Sequence, residues 1–259
     1  MKALLIDGLN LIRRVFAGVP GDQDSEEHLQ AAITSCTASL RRAIRNHEPS
    51  HAVCVLEDGG HSWRHEVLPS YKQNRPPVPP LLGIGLPRIR EQFDQEGVTC
   101  ISVLGFEADD VLATLAHKIV SRGGHAVILS TDKSMCQLVA HGIQVYDHFS
   151  GRSLDHRYIR EKFKVAPPQL STLFALAGDT SLGISGVKNV GLKTAAKLVA
   201  EYGDMKSILA AAKDFPGKLG QTLREHADDA RLAQRLMTLR TDVNIGVNLK
   251  DLRVDPIPF

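Results

Sequence analysis

The sequence contains no apolar run long enough to cross a membrane. Its first apolar run, within Lys2–Asp7, is too short for a signal peptide or a membrane span. No later stretch approaches the length of about 18 apolar residues that a membrane helix requires. We therefore expect a soluble, cytoplasmic protein.

Paired cysteines are missing as well. The four cysteines, Cys36, Cys54, Cys100 and Cys136, are scattered and form no CxxC motif. This spacing argues against a cysteine-based zinc site or a disulfide framework, and we expect reduced thiols within the core. The 11 histidines show no ligand spacing, and a net charge of +2 does not by itself indicate a nucleic-acid partner.

The amino-acid composition is typical of a globular protein. With 259 residues and 43% hydrophobic content, the chain can bury a substantial core, in one large domain or in one domain with an appended module. There is no internal repeat, and the only biased stretch is the proline cluster at residues 76–80.

The chain is organised around Gly105–Asp110, which holds three carboxylates in four residues. A β-branched run at 98–103 predicts a strand before it, and a helical pattern follows it up to Gly123. Acids in a first helical turn complement the helix dipole, so capping is one explanation. Two carboxylates ~5 Å apart repel by about 3 kcal/mol at an effective dielectric of ~20, but by under about 1 kcal/mol in water. A bound cation becomes the natural partner only if the turn is partly buried.

Other acids occupy equivalent places in the sequence. The apolar runs Lys2–Asp7, Ala52–Asp58 and Ala126–Asp132 each end in a carboxylate, and helical patterns such as residues 25–46 lie between them. Alternating strands and helices predict a parallel sheet, which binds ligands beyond the carboxyl ends of its strands. One such Asp is usually a helix cap, but four strand ends together predict a Mg²⁺ or Mn²⁺ site for phosphate chemistry. The acids that this fold brings to one rim are Asp7, Asp58, Glu107, Asp109, Asp110 and Asp132.

The segment Trp63–Leu86 connects two of the acidic strand ends. Its prolines exclude a continuous helix, and its length predicts a functional loop. Residues 61–92 hold five Lys/Arg against two Glu. An ordinary solvated loop is one interpretation, and composition alone favours it. The other is that basic side chains beside Tyr71, such as Lys72 and Arg75, guide a phosphate backbone onto the metals.

A second motif begins with a predicted helix at residues 169–177, which ends at Gly178-Asp179. Residues 184–199 then predict a hairpin that enters another helix. Glycines let a backbone approach a ligand closely, and the amides of a helix N-terminus favour phosphate. Residues 186–240 hold ten Lys/Arg and six Asp/Glu. The combination resembles a helix-hairpin-helix, which binds DNA backbones without reading bases.

Taken together, the motifs give the chain a resemblance to the 5′ nuclease (flap endonuclease) family, whose fold is that of the 5′-3′ exonuclease domain of bacterial DNA polymerase I. The similarity is greatest to stand-alone members of the family. It implies a PIN-like α/β fold with a parallel central sheet, flanking helices, an arch loop and a helix-hairpin-helix (H3TH) module. The motifs that carry it are Leu4–Gly8, Tyr71–Arg75, Glu107–Asp110, Ser130–Lys133, Ala177–Asp179 and Gly191–Ala195.

We expect an α/β nuclease domain at residues 1–160, with the arch at about 61–90. The H3TH module and a C-terminal segment then occupy residues 161–259. From Leu219 onward the sequence predicts a helix followed by a short strand, Val243–Leu249, that packs on the core.

The resemblance implies a role for Lys72 at the scissile phosphate, with Arg75 in support, and a DNA contact for Tyr71. It implies that Asp109 contacts Mg²⁺ directly, with Mn²⁺ as a possible substitute. The implied first metal cluster is Asp7, Asp58, Glu107, Asp109 and Asp110. The implied K⁺ ligands are carbonyls of Leu176, Ala177, Ser185, Val187 and Val190. The implied DNA-backbone contacts are Asn189, Val190, Gly191, Leu192, Lys193 and Thr194.

Two positions depart from the family pattern in its second metal cluster. Ser134 and Leu182 stand where the Thr-Asp-x-Asp and Gly-Asp-x-x-Asp motifs carry their second acids. Asp132 and Asp179 are retained, so the resemblance implies a second metal held weakly or through waters. Ser185 also replaces a proline before the hairpin glycine, with little effect expected because a carbonyl is the ligand there.

The leading hypothesis is a structure-specific 5′ nuclease that uses Mg²⁺ to cut DNA where a 5′ single strand leaves a duplex. One alternative is a DNA-junction binding protein that has lost catalysis along with the two missing acids. Another is a metal-dependent ribonuclease, which explains the acidic rim but not the hairpin. The sequence indicates no obligate protein partner.

Overall fold

A six-stranded sheet forms the centre of the fold. Across the sheet the order is β3-β2-β1-β4-β5-β6, and every neighbouring pair is parallel except β5 with β6. The predicted α/β class with a parallel central sheet is therefore confirmed. The computed structural model describes residues 1–254, and its strands are β1 (Lys2–Asp7), β2 (His51–Val55), β3 (Thr99–Ile101), β4 (His125–Leu129), β5 (Ile143–Asp147) and β6 (Arg152–Ser153).

Helices cover both faces of this sheet. They are α1 (Gly8–Gly18), α2 (Glu26–His47), α3 (Trp63–Val67), α4 (Pro80–Gln95), α5 (Ala108–Val120), α6 (His156–Phe163), α7 (Leu170–Ala177), α8 (Leu192–Tyr202), α9 (Met205–Ala211), α10 (Lys218–Glu225) and α11 (Ala227–Met237). Leu4 and Ile6 of β1 pack in a core with α1, α2 and α4, whereas Leu5 packs in a core with α5 and α7. Burial on both faces explains why the central strands are continuous apolar runs.

Helix α2 shows how the sequence specifies a covering helix. The Ser25 side chain caps its N-terminus by accepting a hydrogen bond from the His28 N–H, and Glu26 and Glu27 lie in the first turn. Both features satisfy or complement the free amides and dipole of the helix start. The helix therefore closely matches the predicted span of 25–46. Its buried stripe includes Leu29, Ile33, Cys36, Leu40 and Ile44.

The prediction of one long loop from Trp63 to Leu86 is wrong, because both ends of the segment are helical. Helix α3 occupies its start, and α4 begins at Pro80, inside the proline cluster. Proline fits the first turn of a helix because its missing N–H would have no partner there anyway. The irregular part of the arch is therefore confined to residues 68–79.

The second region is helical and shares the core of the sheet. Leu176 of α7 belongs to the same buried cluster as Leu5 of β1. The helix predicted from Leu219 onward is in fact two helices, α10 and α11. The expected boundary at residue 160 falls inside α6, and residues 255–259 lie outside the described part of the chain.

The strand predicted at Val243–Leu249 is absent from the described structure. Side chains of α5 instead form hydrogen bonds with the backbone N–H and carbonyl of Val243. Its N–H donates to Thr114 Oγ1 at 3.2 Å, and its carbonyl accepts from Lys118 Nζ at 3.0 Å. Gly246, with φ of +70°, further interrupts an extended conformation. The segment does pack on the core, since Val243 is buried. Its apolar residues reflect this packing and not a sheet ladder.

The remaining structural expectations concern cysteines and membrane helices. All four cysteines are buried and unpaired, as expected for core thiols. No helix within residues 1–254 is both long and apolar enough to span a bilayer.

His148 follows β5 and is buried beside α2. Its Nε2 accepts a hydrogen bond from the Arg42 guanidinium at 2.7 Å. Burial, reinforced by this cation, lowers the pKa of His148 to about 4. A histidine in the unfolded chain has a pKa of about 6.5, so the unfolded state takes up the proton first as the pH falls. The stability that neutral His148 supplies is complete above about pH 6.5 and is lost as the pH falls towards 4.

Replacing His148 with Gln is expected to weaken this acid sensitivity, because the amide oxygen still accepts from Arg42 but does not titrate. The wild type should lose roughly 1–3 kcal/mol of unfolding free energy from this group between pH 6.5 and 4. The difference in stability between wild type and variant should therefore shift by that amount in favour of the variant. Urea unfolding at several pH values measures it, and a difference independent of pH would contradict the assignment.

Candidate active site

Asp7 lies at the carboxyl end of β1, in the middle of the rim of the sheet. Its Oδ1 accepts from the Asn10 N–H at 3.3 Å, and its Oδ2 accepts from the Ser130 hydroxyl at 2.7 Å. Ser130 directly follows the neighbouring strand β4, so this bond connects two strand ends. Asp7 is only 6% exposed. Its carboxylate is therefore both oriented and shielded from water.

Asp109 and Asp132 approach the same rim from two other elements. Asp109 lies in the first turn of α5, and the Ser134 hydroxyl donates to its Oδ2 at 3.4 Å. Asp132 follows β4 and accepts from the Ser134 N–H at 2.7 Å. Burial, and then the charges of Asp132 and Asp7, raise the pKa of Asp109 well above its ordinary value. Burial and the nearby Asp132 likewise raise the pKa of Asp7 to about 6.

These pKa shifts have two physical causes, of which the larger is desolvation and the smaller is repulsion between neighbouring carboxylates. A divalent cation would relieve that repulsion, and a site made of oxygen donors suits Mg²⁺ or Mn²⁺ better than zinc. Among residues 1–254, no three His, Cys, Asp or Glu side chains are arranged so that they could hold a metal ion as they stand. The chemistry of the donors that converge here nonetheless fits a magnesium-type ion.

Glu107 connects the rim to the arch. Its carboxylate accepts from Lys72 Nζ at 2.5 Å and from Arg64 Nη1 at 3.1 Å. Burial alone would lower the pKa of Lys72, but Glu107 and Glu57 outweigh it and raise the pKa above its usual value. Lys72 therefore stays protonated and places a positive charge among the rim acids.

Tyr71 was predicted to contact DNA, but the structure places its side chain in the core. It is 4% exposed, and its hydroxyl donates to Glu107 at 3.0 Å. The ring belongs to the core cluster beneath the rim. In this structure Tyr71 orients Glu107, and its side chain is almost fully buried.

Glu57 is a rim residue that sequence reasoning missed. Its Oε1 lies 3.6 Å from Lys72 Nζ and 3.9 Å from Arg75 Nη1. Its place beside Asp58, just beyond β2, was the available signal. Glu57 holds the two arch cations next to each other, with Arg75 the more exposed.

Asp58 lies at the same end of the sheet in a more open position. Its Oδ1 accepts from the Gly60 N–H at 2.9 Å, and its Oδ2 accepts from the Gly105 N–H at 3.3 Å. It therefore connects the end of β2 to the turn that carries Glu107. A cavity of about 350 Å³ is lined by Asp58, Glu107, Lys72 and Arg75, and we call it the rim cavity.

Asp110 was predicted to be a metal ligand, but its carboxylate is paired with Arg64 instead. It is fully buried, and the Arg64 guanidinium donates to its two oxygens at 2.6 and 2.9 Å. The Trp63 indole N–H and the Arg240 backbone N–H each donate to it at 2.9 Å. Successive helical residues point about 100° apart, so Asp109 and Asp110 cannot share one direction. Asp110 instead fastens α3 and the chain after α11 to α5.

Asp179 lies in the hairpin that follows α7. Its Oδ1 accepts from the Ser181 N–H at 2.9 Å and from the Ser181 hydroxyl at 2.6 Å. Leu182, at the position of a missing acid, accepts from the Lys72 N–H through its carbonyl at 2.9 Å. The hairpin therefore contacts the arch directly. A role for Asp179 in a second metal site stays a prediction.

Two glycines let the strands of the hairpin approach each other. Gly178 has φ of +76°, and a Cβ on it would lie 2.4 Å from the Gly186 nitrogen. A Cβ on Gly186 would lie 2.5 Å from the Leu176 carbonyl oxygen. That carbonyl also accepts from the Val187 N–H at 2.8 Å. The close approach has no room for a side chain at either glycine.

The predicted DNA-contacting residues of the hairpin are of two kinds. Asn189, Leu192 and Lys193 are exposed, and Asn189 adopts a left-handed φ of +63°. Val190 is buried and would contact a ligand only through its backbone. Gly191 is the N-cap of α8, while Thr194, in the first turn, is half-buried. The start of α8 therefore presents amides and one lysine to solvent.

Replacing Gly186 with Ala is expected to distort the hairpin, because its neighbours at 2.4 to 2.5 Å are backbone atoms that cannot rotate away. We expect a loss of roughly 1–3 kcal/mol in unfolding free energy, typical of overpacking. Gly83→Ala is the matched control, since Gly83 is exposed within α4 and nothing lies within 4 Å of its Cβ position. Thermal unfolding of both variants measures this, and equal stability would contradict the packing.

The fold is the one found in solved nucleases. The structure titled "Divalent metal ions (zinc) bound to T5 5′-exonuclease" has a TM-score of 0.77 at 21% identity, covering 93% of this chain and 90% of that one. The catalytic core of Rad2 in complex with DNA substrate has a TM-score of 0.58 at 15% identity, covering 94% of this chain and 80% of that one. At such identities the likeness is one of fold.

Sequence similarity defines the family. Residues 2–164 match the family described as 5′-3′ exonuclease, N-terminal resolvase-like domain, and residues 165–258 match 5′-3′ exonuclease, C-terminal SAM fold. The chain therefore belongs to the 5′-3′ exonuclease family, as its motifs indicated, and is a nuclease. Flap endonuclease Xni of Psychromonas ingrahamii is 39% identical, covering 96% of each chain. Flap endonuclease Xni of Aeromonas hydrophila is 41% identical, covering 98% of this chain and 96% of its own.

Proposed function

We propose that the protein is a flap endonuclease, which hydrolyses DNA phosphodiesters where a 5′ single strand leaves a duplex. The observation that carries the proposal is the rim itself, where the buried carboxylate of Asp7 and the half-buried carboxylate of Asp109 lie near Asp132, while Lys72 lies among the neighbouring acids. Its relatives named flap endonuclease support the choice of substrate. Because the proposed substrate is cellular DNA, we expect the enzyme to act in the cytoplasm.

In this proposal a Mg²⁺ ion, or Mn²⁺ in its place, is held by Asp7, Asp58, Glu107 and Asp109. When bound, such an ion lowers the pKa of a water and polarises the phosphoryl oxygens. A second ion near Asp132 would bind more weakly, because the Ser134 hydroxyl donates to Asp109 where the family motif supplies another carboxylate.

The chain's own side chains position the scissile phosphate. Glu107 and Glu57 hold the Lys72 ammonium at the mouth of the rim cavity, where it would neutralise a phosphate oxygen. The Arg75 side chain is 40% exposed, and it would meet the next phosphate. A guanidinium suits this role because it donates through several N–H groups at once.

The hairpin would grip the duplex that flanks the cut. Exposed Asn189 and Lys193, together with the amides at the start of α8, suit a phosphate backbone. We also expect K⁺ on the hairpin carbonyls, from the predicted set of Leu176, Ala177, Ser185, Val187 and Val190. The glycine pair supports this because it brings the two backbones together.

Cleavage of an end-labelled 5′-flap DNA across a Mg²⁺ titration tests the proposal. We expect incision near the junction, dependence on Mg²⁺ or Mn²⁺, and loss of activity on chelation. Tight binding without incision at any metal concentration would contradict it and leave a junction-binding protein. Preference for a flap made of RNA over the same flap made of DNA would contradict the proposed substrate.

A further inference from the structure

A second cavity, lined by arginines and, within residues 1–254, by no acidic residue, lies between α3 and α11. It has a volume of about 500 Å³, and its lining includes Trp63, Arg231, Arg235 and Arg240. None of its lining residues takes part in the chemistry proposed for the rim. We call it the C-terminal groove.

The arginines of the C-terminal groove are available to an anion. Arg235 is exposed and makes no ion pair or side-chain hydrogen bond within residues 1–254. Arg231 pairs with Asp228, and Arg240 pairs with Asp242, whose side chains are 97% and 64% exposed. Exposed pairs of this kind contribute only about 0–1 kcal/mol, so a phosphate would readily compete with these carboxylates.

An aromatic side chain forms the opposite wall of the groove. Trp63 is half-buried, its indole N–H is held by Asp110, and the Arg240 guanidinium carbon lies 5.9 Å from the ring centroid. The Arg64 guanidinium carbon lies over the same ring, 4.5 Å from its centroid, so the ring already packs against arginine. Trp63 therefore shapes the wall of the groove, and the arginines supply the contacts for a phosphate backbone.

The lining of the C-terminal groove lies next to the lining of the rim cavity at Phe106. Phe106 lines the rim cavity, and the Arg240 guanidinium carbon lies 5.5 Å from the centroid of its ring. The backbone N–H of Trp63 donates to the Gly105 carbonyl at 3.0 Å, so the wall of the groove and the turn before α5 are fastened together. A strand that leaves the rim past Phe106 therefore reaches Arg240 next.

We infer that the C-terminal groove binds the phosphate backbone of the single-stranded 5′ flap after the flap has left the rim cavity. This inference rests on the proposed function and extends it to the part of the substrate that is released. Arg240 contacts the strand first, and Arg235 contacts a following phosphate. Recognition is of phosphate, so it is independent of base sequence.

Arg235→Ala tests the inference with two substrates, a flap of one nucleotide and a flap of roughly 15 nucleotides, the upper span of a typical single-strand site. Only the long flap reaches the groove. We expect a threefold to tenfold rise in KM for the long flap and no change for the short one. In EDTA the slope of log K against log salt for the long flap should fall by about 0.7, the value of one single-strand phosphate contact.

Arg160→Ala is the matched control, because Arg160 is an exposed arginine of α6 without a side-chain partner in the described residues. Arg235→Lys should restore most of the affinity if a phosphate is the ligand. Equal effects on both flaps, or an unchanged salt slope, would overturn the inference. Failure of the wild type to cut either flap would instead overturn the proposed function, while the binding data in EDTA would still test the groove.

Discussion

Replacing Asp109 with Asn is expected to reduce flap cleavage by at least about 100-fold, because the loss of one carboxylate removes several kcal/mol of metal-assisted stabilisation of the transition state. The same change should not lower the melting temperature in EDTA. Asp109 is half-buried near the carboxylates of Asp7 and Asp132, and its raised pKa means that its charge is unfavourable there without a cation. Activity and stability should therefore separate.

The matched control is Asp24→Asn, on the exposed loop between α1 and α2. It should leave both the cleavage rate and the melting temperature unchanged. Single-turnover cleavage and thermal unfolding measure the two quantities on the same preparations. If Asp109→Asn lost activity only in parallel with a lowered melting temperature, the residue would be structural and its place at the metal site would be wrong.

Replacing Arg64 with Met is expected to give the largest loss of stability of any single change considered. Arg64 is 2% exposed, and its guanidinium donates to Asp110 and Glu107, while its Nε donates to the Leu236 carbonyl at 2.8 Å. Removing it leaves Asp110 buried without its cation. Breaking a buried ion pair in this way costs roughly 3–5 kcal/mol.

The identity of the cause is tested by a second change. Asp110→Asn in the Arg64→Met background should recover part of the loss, since the amide removes the uncompensated charge. Arg160→Met, at an exposed site, is the control and should be close to neutral. Urea unfolding of the four proteins measures the effects. A loss below about 1 kcal/mol for Arg64→Met would mean that the pair is no anchor.

Much of the sheet could be predicted because its information is local. β1, β2 and β4 are continuous apolar runs that end in acids, and burial on both faces demands that pattern. The edge strand β3 has a single buried residue, and its β-branched sequence marked it. β5 was harder to recognise, because it lies nearer the edge of the sheet and alternates between buried and exposed residues. β6 has only two residues, both exposed, and no apolar pattern marks it.

The site could be predicted only as far as chain position allowed. Position at a strand end identified Asp7, Asp109 and Asp132, whose environments the structure brings together. Position did not separate Asp109 from Asp110, because the difference depends on Arg64, 46 residues away in the sequence. Long-range partners of this kind have no local signature.

The same reason accounts for the errors outside the rim. Val243–Leu249 resembles a strand because its side chains pack on the core, but α5 supplies the partners of Val243. Tyr71 resembles a nucleic-acid contact by its basic neighbours, yet its hydroxyl is needed by Glu107. In both cases the sequence correctly placed the residues at the core or near the site. Their actual role depends on a tertiary partner that the local sequence does not reveal.

The most direct test of the central claim is to map where the wild type cuts a set of 5′-flap DNAs that differ only in flap length, in the presence of Mg²⁺. If the rim is a nuclease centre that acts at the junction, the cut stays at the same distance from the duplex for every flap length. It should also disappear in Asp109→Asn. A cut whose position follows the free 5′ end, or one that persists in Asp109→Asn, would contradict the account.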